Sequence, residues 1–198
     1  MKSIRLFILM LFVSLKSFAQ VDSCTRMIDL INFVRTNPKA VKAYVENFAS
    51  RDFVYSKTEQ GRIAVKEALN FLDTVKPVDS LKYSEDIFKA IGDHTGIDTV
   101  TGVVKHDCKT LSRISKYNKS FHSAGENYML ITKTSRIGSK VFTKQYSMMD
   151  VLLSFIIDVG IKDKGHRANI FDQDYKFVAV RIVNVKGQLY LFQEFAGY

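Results

Sequence analysis

The sequence predicts an α+β fold in which helices occupy most of the chain and strands come last. Helical periodicity runs through the first half, and β-branched and aromatic runs gather at the C-terminus. The two types do not alternate as βαβ units would require. Met27, Leu30, Ile31 and Val34 share one helical face. Pro38 opens a second apolar stripe of Ala40, Val41, Tyr44, Val45 and Phe48, with Asn37 as its cap, giving two short helices or one kinked one. Ile63, Leu69, Phe71 and Leu72 mark an amphipathic helix ending before Pro77. Ser84 caps another, with Ile87, Ala90, Ile91 and His94 on one side, and Gly92 weakens it without ending it. Residues 98–124 turn polar and irregular, as functional loops do. Val151–Ile157, interrupted only by Ser154, suits a helix buried nearly all round. Phe177–Val183 and Gln188–Phe195 form a hairpin about Asn184-Val185-Lys186-Gly187.

A length of 198 residues fits one domain, and 46% hydrophobic with 12% aromatic content supports a real core. The first nineteen residues stand apart. Lys2 and Arg5 precede an apolar run from Leu6 to Leu15, and Ser17-Phe18-Ala19 offers a cleavage site. This is a secretory signal layout, so residues 1–19 are expected to be removed and residues 20–198 to form a single secreted or periplasmic domain with no transmembrane segment. The run of about ten apolar residues falls short of the roughly 20 a membrane-spanning helix needs. Asp22 and Ser23 before Cys24 do not fit lipid attachment. Loss of Lys2, Arg5 and Lys16 with no acid takes the net charge from +9 to +6. The densest basic stretch, Lys133 through Arg136 and Lys140 to Lys144, reads as a solvated loop or as contact with an anionic envelope surface. No nucleic-acid-binding motif is present. Cys24 and Cys108 are an even pair in an oxidising compartment, and the sequence leaves their pairing open. Without C-x-x-C spacing, they do not make a zinc site by themselves.

Three motifs carry the polar chemistry. Gly125-Glu126-Asn127 reads as a turn opening onto Tyr128–Ile131. Gly165-His166-Arg167-Ala168-Asn169-Ile170 reads as a turn with a histidine, and His106 lies in a loop between Lys105 and Asp107. Each is weak alone. Their order, with Asn32 and Arg35 in the first helix, the buried helix at Val151–Asp158, Tyr175 and the closing Gln193-Glu194-Phe195, resembles the CAP superfamily of cysteine-rich secretory, antigen and pathogenesis-related proteins, and its bacterial branch in particular. The resemblance covers Met27 to Tyr198. It implies a three-layer α-β-α sandwich with a mostly antiparallel central sheet. It also implies a cleft lined by His106, Glu126, Asp158 and His166. Departures are Asp158 for the usual glutamate, Phe155 for the usual tryptophan, and an insertion-like stretch from Ile131 to Tyr146. His94 and His122 gain nothing from the resemblance. His94 reads as a hydrogen-bonded core residue and His122 as solvated.

Such a cleft supports more than one chemistry. Neutral imidazoles of His106 and His166 suit a divalent metal such as zinc, with water and a carboxylate completing the shell. Equally, the acids can orient and tune the histidines without metal, or the four groups can form a network that fixes the cleft. Sterol and fatty-acid binding recur in the superfamily, so the resemblance implies a secreted module for a small apolar or lipid-like ligand or an extracellular partner. The alternative is a metal-assisted hydrolase of peptides or envelope polymers, with Glu126 activating a metal-bound water. A third reading is an adhesin-like or toxin-like interaction domain.

Overall fold

The structure, a computed structural model, describes residues 23–106, 108–137 and 140–198, with the side chains of 133–145 outside that description. The signal segment 1–19 and the basic side chains from Lys133 to Lys144 thus lie outside the described residues.

Residues 23–36 are helical (α1), and Pro38–Arg51 (α2) follows after a break at Asn37. Pro38 takes the first position of α2, where no amide hydrogen is required. The Asn37 side chain, expected as the cap, turns back to donate to the Phe33 carbonyl at 3.2 Å. Phe53–Lys57 (α3) and Glu59–Thr74 (α4) complete this group. The face that α4 buries is Gly61, Ala64, Ala68 and Leu72 rather than one including Ile63, which is exposed. The short strand Lys82–Tyr83 (β1) leads to Ser84, whose side chain accepts from the Ile87 amide and starts Glu85–Thr101 (α5). Residues 98–124 are less irregular than expected, because α5 runs to Thr101 and Thr110–Ile114 (α6) is a further helix.

Ser123–Leu130 (β2) holds Gly125, Glu126 and Asn127 in mid-strand, not in a turn. Their ladder partners are Phe195, Glu194 and Gln193. The insertion-like stretch is a separate hairpin, Thr132–Ile137 (β3) and Lys140–Gln145 (β4). Met148–Ile157 (α7) is the expected buried helix, and Gly165–Phe171 (α8) follows. Phe177–Val185 (β5) and Gln188–Gly197 (β6) form the closing hairpin. Lys186 and Gly187, both at positive φ (50° and 84°), make its two-residue turn.

The main sheet has the order β1-β5-β6-β2, antiparallel except for the β1–β5 pair. Alternation along its strands sorts two cores onto opposite faces. Val178, Val180, Leu191 and Phe195 join α1, α2, α4, α7 and α8, whereas Ala179, Phe192 and Ala196 meet Ile87, Ala90, Ile91 and Ile114 of α5 and α6. That is the three-layer α-β-α sandwich. Two residues of α1 tie its layers together. Asn32 exchanges hydrogen bonds with both backbone groups of Leu81, at 2.8 and 3.0 Å. The Arg35 guanidinium, fully buried, donates to the carbonyls of Asp79, Ile170, Asp172 and Tyr175. Among the described residues no helix is long and apolar enough to cross a membrane, and Cys24 and Cys108 are both free thiols.

Packing at the sheet centre sets one expectation. Phe192→Ala should cost about 3–5 kcal/mol by urea denaturation, the range for emptying a buried aromatic site. Val100→Ser, at a position 88% exposed, should stay within about 0.5 kcal/mol.

Candidate functional site

Sequence spacing alone puts His94 indoors. Ile87, Ala90, Ile91, His94 and Asp98 recur at helical intervals along α5, so the imidazole and the Asp98 carboxylate share the stripe that packs on the sheet. Facing them, β2 and β6 run antiparallel with Glu126 directly opposite Glu194. Two like charges in that position repel. Arg113 of α6 resolves the conflict, because its Nη2 lies 2.9 Å from Glu126 Oε2 and 2.7 Å from Glu194 Oε1.

Glu126 is the hub. Its Oε1 pairs with His106 Nδ1 at 2.7 Å, while its Oε2 pairs with His94 Nδ1 at 2.9 Å as well as with Arg113. His106 has its side chain 49% exposed, and its ring leans on Tyr128 at 4.4 Å between centroids. Tyr128 in turn stacks on Phe192 at 5.3 Å. The site therefore grades from a closed interior at His94 and Glu194 to an open mouth at His106.

A second pair belongs to the α7–α8 layer. Asp158 ends α7 in the left-handed conformation, φ 54°, and its carboxylate accepts from the His166 amide at 3.0 Å and from the Arg167 amide at 3.4 Å. The other oxygen meets His166 Nδ1 at 2.7 Å. An acid at the amide end of α8 is electrostatically favourable, and the loop from 158 to 165 brings the shorter side chain within reach. Phe155 packs against the His166 ring at 5.0 Å. Two asparagines join the halves: Asn127 Nδ2 donates to the His166 carbonyl at 3.1 Å, and Asn169 Nδ2 donates to the Glu126 carbonyl at 3.2 Å.

The four residues named from the sequence thus form two histidine–carboxylate pairs flanking edge strand β2. His106 is joined to Glu126 from the α5–α6 side, and His166 to Asp158 from the α7–α8 side. His122 is exposed, as expected. His94 is buried and hydrogen-bonded, as expected, and its partner is Glu126 itself. Sequence reasoning did not select Arg113 or Glu194. The signal for Glu194 was available, since an acid inside Leu191-Phe-Gln-Glu-Phe-Ala196, on a strand covered on both faces, has no route to solvent.

Burial and partners decide the charges. Burial pushes the Glu126 carboxyl up, but hydrogen bonds from His106 and His94 and the positive charges of His94 and Arg113 outweigh it and hold the group down to about 2. For Glu194 burial wins. Opposed by Arg113 and reinforced by the Glu126 charge, it lifts the carboxyl to about 7.

Two sets of donors suggest a metal ion, and they differ in fit. Among the described residues, the ligand atoms of His94, Glu126 and Glu194 lie within 4.8 Å of one another. A guanidinium nitrogen already lies within 3 Å of both acids, so this set does not fit an ion. His106 and His166 each present an imidazole that can ligate, but among the described residues no three-donor group includes either of them. A carboxylate on each Nδ1 fixes the hydrogen there and leaves the Nε2 lone pair as the ligating atom.

No protein-family model and no curated protein matches this chain. Solved structures do. An extracellular protein containing an SCP domain from Bacillus anthracis superposes with a TM-score of 0.51 at 12% identity, over 90% of this chain and 41% of that one. A cysteine-rich secretory protein from Staphylococcus aureus gives a TM-score of 0.45 at 12% identity, over 70% of this chain and 38% of that one. The first likeness establishes the fold, which is that of the SCP domain, a three-layer α+β sandwich. The chain spans about two fifths of the length of the Bacillus protein.

The raised Glu194 carboxyl gives a pH test. The folded state keeps its proton up to about pH 7 whereas an unfolded glutamate releases it near 4.5, so this group makes stability fall as pH rises through that window. Glu194→Gln keeps an acceptor for Arg113 and removes the cost. Its melting temperature relative to wild type should climb between pH 5 and pH 8. A constant difference across that range would contradict the assignment.

Proposed function

We propose that this chain is an exported bacterial member of the CAP superfamily that binds a small apolar or lipid-like ligand. The signal layout, the ordered motifs and the SCP-domain fold support the family and the export. The observation that carries the ligand is a cavity of about 750 Å³ between α1, α5 and the β1–β5 edge of the sheet. Ile28, Leu81, Tyr83, Phe88 and Val180 give it a largely apolar wall, with Thr25, Asp29, Asn32 and Arg181 as polar points. That volume lies within the 300–1,000 Å³ typical of small-molecule sites, and a few fixed polar groups among apolar walls are their usual chemistry. Arg181 lies over the Phe88 ring at 4.8 Å and crosses α5 at Gly92, where a Cβ would come within 2.7 Å of its Nη1.

None of the histidines lines this cavity. A divalent metal such as zinc, the accessory that the resemblance suggests, belongs to His106 and His166, and it would supply a Lewis-acidic centre at the open mouth of the site. The hydrolase reading asks Glu126 to take a proton from water. A carboxylate held near 2 by three donors is a weak base at neutral pH, and this favours binding over catalysis.

The cavity and the histidines separate experimentally. Mass spectrometry of organic extracts from natively purified protein should find an apolar small molecule that Ile28→Trp removes. The His106→Ala, His166→Ala double variant should retain it and should lose zinc measured by elemental analysis. Extracts with no such molecule, or ligand lost only with the histidines, would overturn the assignment.

A further inference from the structure

His94 lies outside the four cleft residues expected from the sequence, and both its ring nitrogens face acceptors. Nε2 is 3.0 Å from the Lys105 carbonyl oxygen, which can only accept, so this nitrogen carries hydrogen. Nδ1 is 2.9 Å from Glu126 Oε2. That oxygen also accepts from the Arg113 guanidinium at 2.9 Å, and this fixed cation beside it favours the ionised carboxylate. Nδ1 therefore carries hydrogen too. We infer that His94 is a buried imidazolium, and that with Arg113 it supplies the fixed positive charge that keeps Glu126 ionised and aimed at His106.

The surroundings of His94 favour the same state. The groups facing one another from α5, α6, β2 and β6 are His94, Asp98, Arg113, Glu126 and Glu194, all with nearly inaccessible side chains. Asp98 Oδ2 lies 3.6 Å from His94 Nε2, one helical turn along α5. A neutral His94 with its hydrogen on Nε2 would set its Nδ1 lone pair against the Glu126 carboxylate, two acceptors 2.9 Å apart. Burial works against the imidazolium, but Glu126 outweighs burial and raises the pKa above the ordinary histidine value. The Phe192 ring, edge-on at 5.6 Å, fixes the imidazole plane.

His94 is accordingly a positioning residue. By occupying Oε2 of Glu126 together with Arg113, it leaves Oε1 for His106 Nδ1 and sets which nitrogen of His106 faces outward. None of this depends on what fills the cavity.

The test is nitrogen NMR of the full chain, labelled at histidine, chelator-treated and held at pH 7.5. The expected spectrum shows both His94 nitrogens protonated and His106 hydrogen-bearing at Nδ1. A neutral His94 in either tautomer overturns the inference. In His94→Gln, checked for folding by circular dichroism, His106 should shift toward a mixture of tautomers. An unchanged His106 in a folded variant would sink the positioning role, and the wild-type spectrum decides the charge even where the variant does not fold. Zinc added to the wild type should leave both His94 protons in place; their loss would show an ion displacing them and overturn the reading.

Discussion

Two glutamates sit directly opposite each other on neighbouring strands, closed off from solvent, and the surrounding structure is arranged to make that tolerable. One of them, Glu194, has its carboxyl raised to about 7 because burial outweighs the nearby guanidinium. The other, Glu126, stays ionised because three donors converge on it. Two groups of the same chemical type are pushed apart in acidity by what touches them, and this lets one carboxylate serve as a fixed anion at the root of an exposed histidine. Removing either His94 or Arg113 takes a partner from the Glu126 carboxylate, which couples the members of the cluster.

The sheet divides the chemistry as cleanly as it divides the core. Even-numbered residues of β2 look toward α5 and α6, odd-numbered ones toward α7 and α8, so Glu126 and Asn127 serve different layers although they are neighbours in the chain. His166 and Asp158 complete a parallel arrangement with backbone amides of α8 in place of an arginine. The cavity lies elsewhere again, against α1 and the β1–β5 edge. α5 contributes to both regions, with Phe88 at the cavity and His94 and Asp98 in the charged cluster.

Much of this was readable before any coordinates. The buried helix, the closing hairpin and the Ser84 cap follow from periodicity and turn chemistry, which are local. The Gly125-Glu126-Asn127 segment was misread as a turn because glycine and asparagine favour turns locally, whereas antiparallel pairing with β6 holds it extended. Asn37 stands at the cap position of α2 as expected, but its side chain makes no cap hydrogen bond because the Phe33 carbonyl of the preceding helix takes it. The partnership of His94 with Glu126 depends on the register of β2 against β6 and on the rotation of α5, both set by long-range packing. No short window of sequence carries that information. Family resemblance located His106, Glu126, Asp158 and His166 as a set, but which acid serves which histidine emerged only from the three-dimensional arrangement.

A double-mutant cycle on Glu126 and Arg113 tests the charged cluster most directly. Glu126→Gln, Arg113→Met and the double variant, compared by urea denaturation, isolate the energy the two side chains share. The account predicts a coupling of about 1–3 kcal/mol, with the double variant more stable than the single losses sum to. Losses that add to within about 0.5 kcal/mol would show two independent side chains and contradict it.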